Sequence, residues 1–201
     1  MRRPRLLVCI LVLGAAVPAA PARAQWSVAL DAAATVFSGA SRDTTLAEPT
    51  GFHPHRPTLF AARLDRRFGR LGVGLAVGLA GADLIEEGPD AGVVARHILD
   101  LVEVAPEVSL LVAATPAGAA LRVHAGPLLD VWSPDGGDDR TRVGGHAAAS
   151  LEWPIAGRLA GAVRAGAAVT GSLFNAGELP PGFARRALWR RTVALGARYR
   201  L

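Results

Sequence analysis

From Leu71 to Ala80 the chain alternates large and small side chains without a break. Leu71, Val73, Leu75, Val77 and Leu79 hold one parity, and Gly72, Gly74, Ala76, Gly78 and Ala80 the other. A helix would scatter the large residues around its circumference, whereas a strand gathers them on one face. The interspersed glycines also disfavour helix. The same period runs through the rest of the chain from Gln25. Apolar parities begin at Trp26, Phe60, Val102, Leu121, Val143, Leu159 and Trp189, each opposite a parity carrying Asp, Glu, Arg, His, Ser or Thr. This predicts an all-β chain of eight strands.

The connections between these strands alternate in length. Short links fall at Gly69-Arg70, Thr115 to Gly118 and Pro154 to Arg158, and long ones at Ser38 to Pro57, around Gly88, at Ser133 to Thr141 and at Asn175 to Arg186. An up-and-down meander with one short-turn rim and one long-loop rim has this order, as transmembrane barrels do. The parities point the same way. One is almost free of charge, and the other mixes arginine with carboxylates, which suits a barrel that is apolar outside and polar inside. The expected architecture for residues 25–201 is therefore an eight-stranded antiparallel up-and-down transmembrane β-barrel, with both termini on the periplasmic, short-turn side. Pro106 and Pro127 each remove a ladder donor from an apolar parity, and a bulge is the expected accommodation.

Residues 1–24 read as a cleaved secretory signal peptide. Arg2, Arg3 and Arg5 precede the apolar run Leu6 to Val17, and Ala22-Arg23-Ala24 before Gln25 is an A-x-A site. Its removal takes away the only cysteine, Cys9, and reinterprets the charge. The basic residues are all arginine, and 18 of the 22 remain against 17 acidic residues, a net charge of +1. The sequence pI near 11 thus reflects the absence of lysine. No arginine cluster interleaved with aromatics is present, so nucleic acid is not an expected partner.

Aromatic residues avoid the strand centres. Trp26, Phe68, Trp153 and Tyr199 fall near the short turns. Phe37, Phe60, Trp132, Phe174 and Trp189 fall near the long loops, giving two girdles of the kind membrane interfaces favour. Trp26, Phe60, Phe68, Trp153, Trp189 and Tyr199 are the candidate interface residues. With the terminal strand ending Val193-x-Leu195-x-Ala197-x-Tyr199-x-Leu201, this pattern resembles the small eight-stranded bacterial outer-membrane β-barrels, the OmpX, OmpA transmembrane-domain and OmpW types. The resemblance implies export to the outer membrane and contact with its lipid and lipopolysaccharide. It also implies passage through periplasmic chaperones and the barrel-assembly machinery, with Val193, Leu195, Tyr199 and Leu201 as the assembly signal. That signal usually ends in phenylalanine; here it ends in leucine. A monomer is expected.

The polar parity supplies the candidate lumen residues: Asp31, Arg63, Asp65, Glu103, Glu107, Arg122, His124, Asp130, His146, Glu152, Arg164, Arg190 and Arg198. An eight-stranded barrel is only wide enough for side chains to fill it, and unpaired buried charges are costly. A compensated Arg/carboxylate network is expected. His146, Ser150 and Glu152 share a parity and invite comparison with outer-membrane hydrolases. However, His146 and Ser150 lie four residues apart, about 13 Å along a strand, beyond hydrogen-bond reach. No enzyme activity is expected. His53-Pro54-His55 has no evident third metal ligand, and Asp135, Asp138 and Asp139 do not have the spacing of a calcium loop. No cofactor is expected. The function expected is a structural or surface-interaction barrel with exposed loops, the alternative being a narrow channel for small or apolar solutes.

Overall fold

The computed structural model describes residues 25–45, 50–87 and 92–201. The expected signal peptide and the tip of the second hairpin at Gly88 lie outside the described residues. The strands are β1 (Gln25–Asp43), β2 (Gly51–His55), β3 (Thr58–Phe68), β4 (Leu71–Glu87), β5 (Gly92–Ala114), β6 (Ala120–Pro134), β7 (Arg140–Ala156), β8 (Leu159–Thr170) and β9 (Phe183–Arg200). All pairings are antiparallel, and β1 bonds to both β3 and β9, which closes a ring of eight. The short β2 is the ninth strand among the described residues. It follows β3's line along β4 and adds no stave to the ring.

The parities lie as the alternation requires. Leu30, Leu64, Leu71, Val108, Val143, Val193 and Leu195 are exposed on the outside, while Asp31, Arg63, Asp65, Glu103, Glu107, Arg122 and His124 are buried inside. A soluble barrel would show the reverse. Two-residue turns at Gly69-Arg70 and Gly157-Arg158 join β3 to β4 and β7 to β8, with both glycines at positive φ, the conformation that tight hairpins demand.

The long connections depart from expectation. The stretch Ser38 to Pro57 is largely strand, formed by the upper end of β1 and by β2. The link expected over Ser133 to Thr141 leaves only residues 135–139 outside strands, as many as the short-side turn at 115–119. Only the β8–β9 connection, residues 171–182, is a long loop among the described residues. The strands run on past the barrel: β5 has 23 residues and β1 19, where about 9–11 suffice to cross a bilayer. Alternation is a poorer guide there because the strand ends rise beyond the bilayer, where the outer face no longer has to be apolar.

The two prolines also behave differently from expectation. Val104 pairs with Leu129 and Val108 with Ala125, so the β5–β6 ladder lapses for three residues and resumes in the same register, without a bulge. That register sets Pro106 opposite Pro127. Each strand lacks its donor where the other does, and the loss is confined to one gap. The bulge in β1 lies instead at Gly39 and Ala40, both at positive φ.

Candidate functional site

The interior holds two layers of different chemistry. Toward the short-turn rim, six arginines (Arg63, Arg67, Arg122, Arg164, Arg190, Arg198) face six carboxylates (Asp31, Asp65, Glu103, Glu107, Asp130, Glu152). Glu107 of β5 is the hub. Its carboxylate accepts from Arg164 of β8 at 2.6 Å and lies 3.6 Å from Arg63 Nε of β3. His124 of β6 approaches it at 3.1 Å and His146 of β7 at 3.4 Å. Arg63 also donates to Asp31, whose carboxylate lies over Gly196 of β9 in space that a Cβ would fill. Nearer the rim, Glu152 accepts from both Arg67 and Arg198, and Arg198 reaches Asp65 at 2.8 Å. Above the hub, Arg190 donates to Glu103 and lies 4.0 Å from Asp130.

Every expected lumen residue thus lies in this layer; one of them departs from the expected pairing, and one further arginine joins the set. Arg122 is buried, and its Nε and one Nη have no acceptor. Arg67 belongs to the network although the expected set omitted it. It shares the parity of Arg63 and Asp65, so parity alone was sufficient to find it.

The expectation about catalytic spacing needs a correction of a different kind. His146 and Ser150 do not meet, but His124 Nε2 lies 2.8 Å from Ser150 Oγ and its Nδ1 lies 3.1 Å from Glu107. A carboxylate only accepts, so the Nδ1 N–H donates to Glu107, and Nε2 meets the serine hydroxyl. That is the order of a serine–histidine–acid relay, assembled from β7, β6 and β5. All three residues are buried, at 3%, 3% and 4% exposure. The central cavity, about 70 Å³, is lined by Glu107 and His146 but not by Ser150 or His124.

Toward the other rim the interior turns apolar. Phe37, Leu59, Leu99, Leu101, Trp132, Leu173 and Leu188 form a buried cluster, with Phe37 and Trp132 edge-to-face at 5.6 Å. Phe37 and Trp132 were expected in the outer girdle and instead point inward, with Trp132 fully buried. Height along the strand suggested the girdle, whereas parity, shared with Asp31 and Asp130, places them inside. Leu173 comes from the β8–β9 loop and caps the cluster. Arg142 fixes that loop by donating to the carbonyls of Ser172 and Leu173 and to Asn175 Oδ1. Ser172 Oγ donates to Ala40 O at 2.6 Å, and Phe52 of β2 packs on Phe174 and Phe183.

On the outer face, Trp26, Phe60, Phe68, Trp153, Trp189 and Tyr199 are all exposed, as are Val193, Leu195 and Leu201. Arg66, on the apolar parity, stacks between the Trp26 and Phe68 rings at 5.3 and 4.9 Å. No group of three or more metal-ligating side chains occurs among the described residues.

No protein-family model matches the sequence, and no curated protein resembles it closely enough to match. Solved structures do. Neisserial surface protein A (NspA) superposes with a TM-score of 0.55 at 13% identity, over 87% of this chain and 96% of that one. The outer membrane protein OprG from Pseudomonas aeruginosa superposes with a TM-score of 0.52 at 10% identity, over 89% and 95%. With the closed ring, the apolar exterior and the filled polar interior, these likenesses establish that the chain has the fold of the small eight-stranded outer-membrane β-barrels.

Proposed function

We propose that this is an outer-membrane barrel with a closed lumen, whose role is structural or exercised at the cell surface through its projecting hairpins. The observation that carries this reading is that the interior is occupied at both ends. Trp132, Leu101, Leu173 and Leu188 fill one end, and Arg198, Glu152, Asp65 and Arg67 the other. The cavity left between them is about 70 Å³. The short-turn rim, carrying both termini, is then periplasmic, and the β4–β5 hairpin and β8–β9 loop face outward. Residues 1–24 direct export. The outward strand β9, with Val193, Leu195, Tyr199 and Leu201, is presented to the assembly machinery, and the exposed aromatics sit at the two membrane interfaces against lipid and lipopolysaccharide.

The alternative, a narrow path for apolar solutes, draws support from the apolar character of the upper lumen. There the space is taken by side chains with no exposed surface, Trp132 and Leu173. Planar-bilayer recording of the refolded mature chain tests the proposal. No reproducible conductance is expected, and discrete, protein-dependent channels overturn it.

A further inference from the structure

Inside the barrel arginines stand among carboxylates, whereas at the β1–β9 edge of the long-hairpin rim arginines line open concavities whose linings hold none. Where β1 meets β9, two open concavities adjoin. One, about 340 Å³, is lined by Arg142, Gly171, Ser172, Phe174, Asn175, Arg185 and Arg186. The other, about 480 Å³, is lined by Gly39, Ser41, Arg42, Thr50, Gly51 and Arg186. Neither lining contains a carboxylate, and Arg186 belongs to both. Arg42, Arg185 and Arg186 are exposed, and no ion pair or hydrogen bond engages them among the described residues. Nearby carboxylates are taken up elsewhere. Glu178 pairs with Arg140 at 3.4 Å and accepts from Asn175, and Asp43 accepts from the backbone N–H and hydroxyl of Thr45. Glu48, in the β1–β2 connection, lies outside the described residues. Asp83, Glu86 and Glu87 belong to β4, where Glu87 pairs with Gly51 of β2, and Asp135, Asp138 and Asp139 belong to the β6–β7 turn.

Guanidinium groups that line adjoining concavities with no carboxylate in their linings among the described residues form the chemistry that binds oxyanions, because each planar fork matches two oxygens of a phosphate or sulfate. The rim is also built to hold its shape. Arg142 spends its N–H groups on the Ser172 and Leu173 carbonyls and Asn175, which fixes one wall. Ser172 is tied to Ala40 beneath it. Arg185 pairs with Ser41 across the β1–β9 ladder, and Arg42 with Ala184. The mobile parts of the site are then the arginine side chains themselves, over a fixed backbone floor.

We propose that the rim between β1 and β9 is a binding site for phosphate or sulfate monoesters, with Arg42, Arg185 and Arg186 as its ligating residues and Arg142 as a positioning residue. Placing this rim outside the cell rests on the orientation given above; the site itself does not. Two sources supply the chemistry: phosphorylated glycolipid headgroups of the outer leaflet, and soluble polyanions.

The test uses the refolded mature chain in neutral phosphatidylcholine nanodiscs, with inositol hexakisphosphate as the soluble probe. Saturable binding that weakens with added salt is expected. The double variant Arg185→Gln, Arg186→Gln should lose about tenfold or more in affinity. The double variant Arg158→Gln, Arg200→Gln, at the opposite rim, should bind as the parent does. Both variants must keep the different gel mobilities of boiled and unboiled samples that mark a folded barrel. A nanodisc series containing bis-phosphorylated glycolipid separates the sources. Competition with the probe identifies the lipid headgroup, and undiminished probe binding identifies a soluble anion; both sustain the site. Absence of saturable binding, or equal loss in the two variants, overturns it. Channel activity would remove the closed-lumen reading and leave this site standing, so the two failures are distinguishable.

Discussion

The two ends of the lumen solve one packing problem by different means. Toward the short-turn rim, the interior is filled by long charged side chains whose partners come from across the ring: Glu107 draws on β3, β6, β7 and β8. Toward the long-hairpin rim, two aromatic side chains and aliphatic groups do the filling, and the last piece, Leu173, is delivered by a loop. The ionic half depends on orientation and on every partner being present, since a buried charge left alone costs far more than the pair returns. The apolar half depends only on volume. A barrel with both has one end that specifies the arrangement of staves and one end that seals.

Substitutions separate the two halves by size and kind of effect. The largest is expected for Glu107→Ala, which strands Arg63 and Arg164 at once. About 3–5 kcal/mol should be lost in urea unfolding of the micelle-bound protein, and the asparagine-sized void is the minor part. Glu107→Gln should recover little, because the charge is what the arginines lack; near-complete rescue would break the distinction. Trp132→Ala should cost a comparable or slightly smaller amount, about 3–5 kcal/mol, but with no dependence on ionic strength. An apolar xenon-sized ligand should recover part of it if the space stays dry. Arg142→Gln should cost about 1–3 kcal/mol of loop attachment, seen as proteolytic cleavage within 171–182 while the barrel remains folded. Smallest is Arg122→Met, which removes a buried guanidinium that lacks acceptors. Stability should stay within about 1 kcal/mol or rise, and a large loss would mean that Arg122 is held by long-range attraction to Glu152 and Asp65.

A pH effect should touch the loop and spare the seal. Burial opposes ionisation of Glu178, but the Asn175 backbone and side-chain amides, with Arg140 and Arg142, hold its carboxyl below the ordinary range. A group whose folded pKa is lowered contributes above its unfolded value and loses that contribution as pH falls through the folded one. Protease sensitivity of 171–182 should therefore rise on acidification below the ordinary glutamate range, and Glu178→Gln should abolish the change.

Much of this architecture is legible in the residue order, and the failures have identifiable causes. Period-two alternation locates the staves because each face of a membrane strand meets one environment only. It stops informing where β1, β2, β4 and β5 rise beyond the span and the apolar face no longer meets lipid. Phe37 and Trp132 were misplaced because height was allowed to outrank parity. The Pro106–Pro127 gap needed the β5–β6 register, since two separate interruptions become one only when the strands are aligned. Ser150, His124 and Glu107 lie 26 and 17 residues apart in the chain, so no local spacing announces their contact.

Alternation and signal-like, girdle and terminal motifs suffice for an inside-out barrel, because hydration acts on each residue's face independently of its neighbours. Which charge meets which, and which side chains share one level of the interior, were decided only by ring closure and strand register. Those bring side chains from non-adjacent strands to one height, and an ion pair or a seal exists only between groups that share both a face and a level.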